Sequence, residues 1–327
     1  MINDQVTVHL IFGALGQDGS YLAEQLSAEG NQVIGVIRNS SIIPNEYRHE
    51  NINYVRGDIL DTNFVYSLLE TFRPTHIYNL ASASSVSESY IFPELSLRIN
   101  LEFVQELINN LERYRTKSGQ DIFLLQASSS EMYGPDQQSP INENTPHDPR
   151  SPYAEHKSMA HNLCFEARSN LAMKIGTAIL FNHESPRRPL KFVSRKITNG
   201  AYLISKGTEK GLVLGNINVQ RDWGYAPDYV RAIRLVAQSL SADDFVIATG
   251  QLHSLKEMCQ TAFEAVGITD YLNFVNSDTS LFRSNENSGL VGDSSRIMHL
   301  NQWKPLVTFD QMIKKMVFSE VNQSQRL

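Results

Sequence analysis

VTVHLIFGALGQDG, residues 6–19, begins as an apolar strand and ends in a glycine turn with the spacing GxxGxxG. Glycines at these positions let the backbone turn tightly and approach a pyrophosphate, whose charge the N-terminus of a following helix would stabilise. A helix is predicted over residues 21–28, where apolar side chains share one face. Strand, turn and helix together favour a dinucleotide site over a plain glycine turn. The predicted cofactor-binding residues of this turn are Gly13, Gly16, Gln17, Asp18 and Gly19.

Beyond the turn, strand-like and helix-like segments alternate as far as residue 180. Further strands are predicted at residues 32–37, 52–55, 76–80, 122–127 and 174–180, and helices at residues 63–71, 94–114 and 153–170. Such alternation is typical of βαβ units, which build a parallel sheet covered by helices on both faces. We therefore predict an α/β fold with a Rossmann-type, doubly wound parallel sheet, whose ligands lie beyond the carboxyl ends of the strands.

The alternation stops after residue 183, where two prolines in SPRRPL (185–190) exclude a regular helix or a central strand. One more sheet strand is predicted at 245–248, then helices at 255–266 and 303–321 on either side of a polar, irregular segment, 268–300. We expect a dinucleotide-binding domain of residues 1–182 plus about 223–250. A smaller C-terminal α/β substrate domain would comprise residues about 183–222 plus 251–327.

The composition limits the class of protein. The chain has 29 basic and 35 acidic residues, a formal charge of −6, which argues against nucleic acid as a partner. No apolar run approaches the length of a membrane span, and no signal peptide is predicted ahead of the first strand. Two cysteines are too few for a disulfide framework, so we expect a cytoplasmic globular protein.

The end of the second strand bears on the choice between NAD and NADP. An NAD site usually places a carboxylate there, whereas the 2′-phosphate of NADP requires a cation. The sequence has Arg38, Asn39 and Ser40 at this position and no acidic residue, which predicts NADP unless the arginine is merely solvated. After the third strand, Asp58 could accept a hydrogen bond from the adenine amine or could cap the next helix.

Tyr153 and Lys157 are the first catalytic candidates, because a spacing of i, i+4 places them on one helix face. An ammonium beside a phenol favours the phenolate and would lower its pKa from about 10, so that Tyr153 could act as a base. Lys157 could also hold the nicotinamide ribose. The pair is weak evidence by itself, but after a glycine-turn domain it indicates a catalytic site.

The stretch SSSEMYG, residues 128–134, follows a buried strand and contributes Ser129 and Glu131. Hydroxyl groups and a carboxylate at the mouth of a parallel sheet lie where a substrate would bind, although a capping turn is the alternative. His183 and Glu184 begin like a zinc-protease HExxH motif. Since the fifth residue is Arg187 and a proline precedes it, no metal site is predicted.

Taken together, these motifs resemble the extended short-chain dehydrogenase/reductase superfamily and, within it, the GDP-mannose 4,6-dehydratase family. The most specific stretches are GALGQDGSYLAEQL (13–26), QASSSEMYG (126–134), PRSPYAEHK (149–157), LFNHESPRR (180–188) and QRDWGYAPDYV (220–230). Stretches of this kind recur from residue 13 to residue 305, and FNHESPRR with RDWG is far more specific than the glycine turn.

This resemblance implies a nucleotide-sugar 4,6-dehydratase that converts GDP-mannose to GDP-4-keto-6-deoxymannose with NADP as a recycled hydride carrier. Tyr153 would deprotonate the sugar O4, to which Ser129 would hydrogen-bond, while C4 gives hydride to the nicotinamide. Glu131 would then take the C5 proton and help to expel the C6 hydroxyl as water. The alternatives are a GDP-sugar 4-epimerase or 4-keto reductase on the same scaffold, and a non-catalytic NADP-binding protein.

The resemblance also implies binding roles by position. Further cofactor contacts would be Ile59, Leu80, Ala81, Ser82, His183 and Arg188. Substrate contacts, besides Ser129 and Glu131, would be Ser84, Asn182, Val193, Lys196, Gly215, Arg221, Arg283 and Glu286. Arginine suits a diphosphate through its planar fork, and the alternative for Arg221 is a structural salt bridge to Asp222 or Asp228. Ala83 and Ser85 replace the family's glutamine and histidine at the sugar end. A homodimer or homotetramer is expected.

Overall fold

The computed structural model describes residues 7–239, 242–282 and 289–324. Its strands are β1 (Val8–Phe12), β2 (Gln32–Ile37), β3 (Ile52–Arg56), β4 (His76–Asn79), β5 (Phe123–Ser129), β6 (Ile175–Leu180), β7 (Asn182–Glu184), β8 (Leu212–Leu214), β9 (Gln220–Tyr225), β10 (Asp244–Ile247), β11 (Leu252–Ser254) and β12 (Val275–Ser277). Its helices are α1 (Gln17–Ala28), α2 (Thr62–Phe72), α3 (Val86–Ile91), α4 (Pro93–Leu97), α5 (Phe103–Ser118), α6 (Pro152–Leu171), α7 (Val193–Ser205), α8 (Ala226–Ser239), α9 (Leu255–Glu264), α10 (Ser295–Asn301) and α11 (Phe309–Ser324).

Seven of the described strands form one parallel sheet in the order β10-β6-β5-β4-β1-β2-β3. Strands such as β1 and β6 are apolar nearly throughout, because helices cover both faces of the sheet. The strand order reverses between β1 and β4, and at such a reversal a crevice opens beyond the carboxyl ends of the strands. The predicted doubly wound parallel sheet is confirmed.

Three hydrophobic cores stabilise the described structure. On one face of the sheet, α1 and α8 pack residues such as Leu22 and Ile233 against the strands. On the other face, α2, α5 and α6 contribute residues such as Leu69 and Leu107. A third core lies between α7, α9 and α11, where Met258 is among the fully buried side chains.

The long helix predicted over residues 94–114 is divided in the structure. It consists of α4, a π turn over Arg98–Glu102 and α5, which extends to Ser118. Asn100 lies in the π turn, where its side chain hydrogen-bonds both the N–H and the C=O of Ala83, at 3.2 and 3.3 Å. The wider turn therefore holds Asn100 against the loop that follows β4.

The prediction of a last helix over residues 303–321 is wrong at its start, because α11 begins at Phe309. Asp228 explains the later start of α11, because its carboxylate accepts hydrogen bonds from the backbone N–H groups of Leu306 and Val307, at 2.8 and 2.9 Å. Trp303 is buried and donates its indole N–H to the carbonyl oxygen of Asp228. These bonds hold the segment before α11 in a non-helical conformation.

Two small sheets complete the fold. In the first, β9 pairs parallel to β7 and antiparallel to β11. In the second, β12 pairs parallel to β8, so the segment 268–300, predicted as irregular, contains β12 and α10. Among the described residues, no helix combines the length and the apolar character that crossing a membrane requires.

Candidate functional site

The glycine turn joins β1 to α1 and has no room for side chains. Gly13 has a φ of +81°, and a Cβ there would lie 2.8 Å from the backbone of Leu80. A Cβ on Gly19 would lie 2.2 Å from the carbonyl oxygen of Gly13. Helix α1 begins at Gln17, not at residue 21 as predicted, and Gly16 at its N-cap offers no side chain to the first turn. The open N–H groups of that turn fit a pyrophosphate.

A buried ion pair links the glycine turn to β7. Nε2 of His183 lies 2.9 Å from Oδ2 of Asp18, and Nδ1 lies 2.7 Å from the carbonyl oxygen of Phe181. Both ring nitrogens therefore face acceptors, as an imidazolium requires. Burial opposes the charge on His183, but the Asp18 carboxylate and these hydrogen bonds raise the pKa of its imidazole above the usual value.

The pKa of Asp18 moves in the opposite direction. Burial of this carboxyl group would raise its pKa, but the charge and the hydrogen bond of His183 outweigh burial and lower the pKa. A second link runs beside the pair, where Ser185 donates to Oε1 of Gln17 at 2.8 Å and Nε2 of Gln17 donates to the carbonyl oxygen of His183 at 3.1 Å. The first turn of α1 is thus held by the segment after β6.

The loop after β2 contains the cation predicted to select NADP. The side chains of Arg38, Asn39 and Ser40 are exposed at this edge. Arg56, at the end of β3, donates from Nη1 to the carbonyl oxygens of Asn39 and Ser41 at 2.9 and 2.8 Å. Our sequence analysis missed Arg56, although a basic residue at the end of the neighbouring strand was a usable signal.

Asp58 follows β3 at the same edge. Its Oδ1 accepts from the N–H of Leu60 at 3.0 Å, which closes a local turn. Helix α2 is capped instead by Asp61, whose carboxylate accepts from the N–H groups of Asn63 and Phe64. The alternative that Asp58 caps the next helix is therefore wrong, and a role toward adenine for Asp58 and its neighbour Ile59 stays a prediction.

Ser129 and Tyr153 come together at the carboxyl end of β5. Ser129 ends the strand, and its Oγ accepts from the N–H of Glu131 at 3.2 Å. Tyr153 is buried in the first turn of α6, where Ser151 caps the helix. Ser129 and Ser82 lie close enough to the phenol of Tyr153 to lower its pKa. Predicted catalytic and cofactor-binding residues thus meet around one phenol.

The pKa of Tyr153 is raised above its usual value, opposite to our prediction, because the phenol is buried. The side chains of Ser129 and Ser82 only partly offset this burial. Lys157 is buried as well, and its Nζ donates to the carbonyl oxygen of Ala127 at 2.6 Å. Burial lowers the pKa of Lys157 to about 8. The protein alone therefore does not provide the lowered phenol pKa that we expected from the pair.

Glu131 and Arg221 form an ion pair beside the phenol. Nη1 of Arg221 lies 3.1 Å from Oε1 of Glu131, and the two side chains are 11% and 19% exposed. The carboxylate of Asp222 accepts instead from Thr249 and from Gly250. Asp228 accepts from the segment before α11. Within the described residues, the alternative of a salt bridge from Arg221 to either aspartate is therefore wrong.

A cavity opens around this ion pair. Residues at the ends of β5 and β6, on β7 and β9, and in the segment before α10 line it: Ser130, Glu131, Phe181, Asn182, Gln220, Arg221 and Leu290. Of the lining residues, Glu131 is a predicted sugar contact, Asn182 a predicted sugar or phosphate contact, and Arg221 a predicted diphosphate contact. The cavity therefore joins the predicted sugar and phosphate positions.

The remaining described substrate contacts predicted from the sequence lie at the start of α7 and after β8. Val193 begins α7, and Lys196 in its first turn donates from Nζ to the carbonyl oxygen of Val213 at 2.6 Å. Gly215 follows β8, and a Cβ there would lie 3.0 Å from the carbonyl oxygen of Leu281. Arg283 and Glu286 fall outside the described residues, so their predicted roles are not placed.

The loop after β4 contains Ala81, Ser82 and Ser84. Ser82 donates from its hydroxyl to Oδ1 of Asn100 at 2.8 Å, whereas Ser84 is exposed. Asn100 is buried, and our sequence analysis missed it because it lies inside an apparently regular helix. Its amide fixes the loop on which three of the predicted contacts depend.

Arg188 completes the described site. Its Nε lies 3.2 Å from Oε2 of Glu184, and its guanidinium stacks over the ring of Phe192 at 3.8 Å. Arg188 also acts on the phenol of Tyr153, whose pKa its charge tends to lower. In the described part of the chain, no group of three or more His, Cys, Asp or Glu side chains could hold a metal ion.

Comparison with protein families gives a match over most of the chain. The family model described as GDP-mannose 4,6 dehydratase matches residues 10–316. GDP-mannose 4,6 dehydratase 1 of Arabidopsis thaliana is 36% identical over 330 residues, which cover 98% of this chain and 91% of the relative. The human GDP-mannose 4,6 dehydratase is 35% identical over 350 residues, which cover 96% and 91%.

Solved structures show the same fold at lower identity. The UDP-glucose 4-epimerase of Thermus thermophilus, in complex with NAD, has a TM-score of 0.84 and 24% identity over 96% of this chain and 99% of that one. The dTDP-glucose 4,6-dehydratase of Bacillus anthracis, in complex with NAD, has a TM-score of 0.83 and 19% identity over 98% of each chain. At these identities the likeness concerns the fold alone.

Proposed function

Because the chain belongs to the GDP-mannose 4,6-dehydratase family, we propose that it converts GDP-mannose to GDP-4-keto-6-deoxymannose. It is a nucleotide-sugar 4,6-dehydratase, and therefore a hydro-lyase. The observation that supports the proposed chemistry is the meeting of a phenol, a hydroxyl and a carboxylate at the carboxyl end of β5, from Tyr153, Ser129 and Glu131.

We propose NADP as the cofactor. When bound, NADP supplies the acceptor for the C4 hydride and later its donor at C6. The cradle around Gly13 and Gly19, where no Cβ fits, and the uncapped first turn of α1 suit its pyrophosphate. Arg38 would face the adenosine 2′-phosphate, on a loop that Arg56 holds. Lys157 would hold the nicotinamide ribose, and His183 and Arg188 would lie beside the nicotinamide.

Tyr153 would act as the base at the sugar O4. Its phenolate takes the O4 proton as C4 becomes a ketone, and the Ser129 hydroxyl hydrogen-bonds O4 during this step. Burial raises the pKa of Tyr153, so the phenolate needs a further positive charge nearby. The ammonium of Lys157 and the oxidised nicotinamide, when bound, would provide that charge.

Glu131 would carry out the elimination. A ketone at C4 acidifies the C5 proton, which the Glu131 carboxylate removes. The same carboxyl group then gives its proton to the C6 hydroxyl, which leaves as water. The C5–H and C6–O bonds break and leave a double bond between C5 and C6. The hydride from the cofactor would then add at C6, and a solvent-derived proton would add at C5. One residue at this position therefore serves both halves of the elimination.

The remaining predicted contacts would bind the nucleotide. Arg221 and Asn182 line the cavity with Glu131, at the position proposed for the diphosphate and the sugar. Val193 and Lys196, in the first turn of α7, would contact the nucleobase.

We also propose the two-domain division into residues 1–182 plus about 223–250 and about 183–222 plus 251–327. The third hydrophobic core, between α7, α9 and α11, supports it.

We propose a homo-oligomer, at least a homodimer. Exposed apolar residues support it: Tyr90 and Ile91 of α3, Phe92 between the helices, Leu95 of α4 and Met159 of the adjacent α6, which are 46–68% exposed. Contiguous apolar surface of this kind is typical of protein interfaces. A tetramer and a cytoplasmic location stay predictions.

Incubation with GDP-mannose tests the proposed function. The purified protein, with and without added NADP, should yield a product lighter by one water, measured by mass spectrometry. In D2O the product should carry deuterium at C5, because Glu131 exchanges its proton with solvent. A 4-epimerase would leave both the mass and the C5 hydrogen unchanged. Absence of a lighter product with NADP present would contradict GDP-mannose as the substrate.

A further inference from the structure

The Glu131–Arg221 ion pair joins two residues whose proposed tasks are incompatible with that pairing. As the base at C5, Glu131 must direct its carboxylate at the sugar. As a diphosphate ligand, Arg221 must direct its guanidinium at the phosphates. In the structure the two groups instead contact each other at 3.1 Å, inside the cavity proposed for both parts of the substrate.

The backbones on both sides of the pair are fixed. The N–H of Glu131 donates to Oγ of Ser129, in a 3-10 turn directly after β5. Arg221 lies within β9, where it is opposite His253 of β11. Any separation of the two charged groups must therefore come from rotation of side chains. Both side chains are long enough to turn toward a substrate in the cavity.

We propose that the Glu131–Arg221 pair is a latch that the diphosphate of the substrate opens. A diphosphate presents more negative charge than one carboxylate and matches the planar fork of arginine. When it binds, Arg221 turns from Glu131 to the phosphates, and the freed carboxylate turns toward C5. Arg221 is then a positioning residue for the catalytic base, in addition to a substrate ligand. This inference rests on the proposed GDP-sugar function.

The latch couples nucleotide binding to elimination. Part of the binding free energy of the diphosphate is used to break the ion pair, so GDP binds more weakly than the cavity would otherwise allow. In return, the base is held away from the sugar site until a nucleoside diphosphate group is bound. Removing the carboxylate of Glu131 should therefore strengthen GDP binding, but only when Arg221 is present to bind the phosphates.

A double-mutant cycle on GDP affinity tests the latch by isothermal calorimetry of the full-length protein. Glu131→Gln should tighten GDP binding about fivefold. This factor corresponds to roughly 1 kcal/mol, the free energy that a partly exposed ion pair contributes. In an Arg221→Met background the same substitution should change GDP affinity by less than about twofold. GMP has no β-phosphate. Its affinity should therefore be the same for the wild type and for every variant that keeps Arg221.

Two further variants sharpen the cycle. Glu131→Asp keeps the negative charge but withdraws it from Arg221, so tightened GDP binding by this variant cannot come from reduced repulsion. Glu88→Gln removes the carboxylate of the exposed pair with Lys191, outside the cavity, and should leave GDP affinity unchanged.

The outcomes separate the latch from the function on which it rests. If Glu131→Gln also tightens GDP binding in the Arg221→Met background, the effect is simple repulsion between Glu131 and GDP. That result would overturn the latch. Unchanged GDP affinity in both Glu131→Gln and Glu131→Asp would overturn it too, while leaving the GDP-sugar function intact. Failure of the wild type to bind GDP at all would overturn the latch together with the proposed substrate.

Discussion

The glycine turn and the Glu131–Arg221 cavity lie at the same carboxyl edge of the central sheet but are built in different ways. At the turn, backbone meets backbone, and a Cβ on Gly19 would lie 2.2 Å from the carbonyl oxygen of Gly13. At the cavity, the contacts are between the side chains of Glu131 and Arg221, which meet at 3.1 Å. One region has a fixed shape, whereas the other can rearrange when side chains rotate.

This difference suits the two proposed ligands. A recycled NADP stays bound through each turnover, so a rigid cradle costs nothing in rate. A nucleotide sugar must enter and leave, so the cavity needs groups that can pair with each other when the substrate is absent. We therefore expect substitutions at the turn to abolish binding of NADP, and substitutions at the cavity to alter chemistry while the protein keeps its cofactor.

The largest expected effect is at the phenol between the two regions. Tyr153→Phe should lower the turnover number by about 10³-fold, because the variant lacks the proposed base at O4. Reduced cofactor should not appear, even transiently, at 340 nm, since the first proton transfer is blocked. Tyr114→Phe, which removes a buried hydroxyl that contacts only Gln120 in the described structure, is the control and should keep normal turnover. Transient reduction in the Tyr153 variant would contradict its role as base.

At the glycine turn, Gly19→Ala should remove bound NADP and lower the turnover number by more than about 100-fold. The added methyl group would collide with the backbone of Gly13 and Ala14, which cannot move without displacing β1. Gly119→Ala is a matched control, since its φ is +70° and nothing lies within 4 Å of the added carbon. It should lose stability but retain the cofactor, measured by absorbance of the denatured supernatant.

Normal cofactor retention by the Gly19 variant would show that the turn can adapt, and the contrast with the cavity would disappear.

At the cavity, Glu131→Gln should lower product formation by about 100-fold while hydride transfer from C4 continues. Reduced cofactor should therefore accumulate during a single turnover, which stopped-flow absorbance would detect. Deuterium should no longer enter C5 in D2O. A variant that still forms product at the normal rate would remove Glu131 from the mechanism and leave the cavity without a catalytic group.

The sequence predicted the rigid region more fully than the flexible one. GxxGxxG between a strand and a helix is a local pattern, and the structure has the predicted strand, turn and helix in order. The error there was only the start of α1, because Gly16 is already its N-cap and Gly19 belongs to its first turn. The parallel sheet followed from local patterns in the same way, since each buried strand is a short apolar run.

The cavity depends on residues that are far apart in the chain, and no local pattern encodes their contacts. Glu131 and Arg221 were both predicted as site residues, but their pairing with each other was not. Asn100 was missed because a π turn within a helix leaves no simple trace in hydrophobic periodicity. The direction of the Tyr153 pKa was wrong because spacing reports a shared helix face and says nothing about burial.

The smallest expected effect concerns the buried pair of Asp18 and His183, which stiffens the glycine turn. The pKa of His183 is raised in the folded protein, so its contribution to stability is complete below about 6.5 and is lost as the pH rises through the raised value. The pKa of Asp18 is lowered, so its contribution is complete above about 4 and is lost in stronger acid. The pair should therefore stabilise the fold most between these pH values.

Asp18→Asn tests this pH dependence, because it keeps the shape of the side chain and removes its charge. Near pH 5.5 the variant should lose about 2 kcal/mol of unfolding free energy relative to the wild type, and the difference should shrink as the pH rises above the raised pKa of His183. Glu70→Gln, which breaks an exposed pair with Lys117, is the control and should show no such change. A stability difference that is constant from pH 5.5 to pH 9 would mean that His183 is neutral. The glycine turn would then be held by its backbone contacts and the neutral link from Gln17 to Ser185, and the contrast with the cavity built from charged side chains would be even greater.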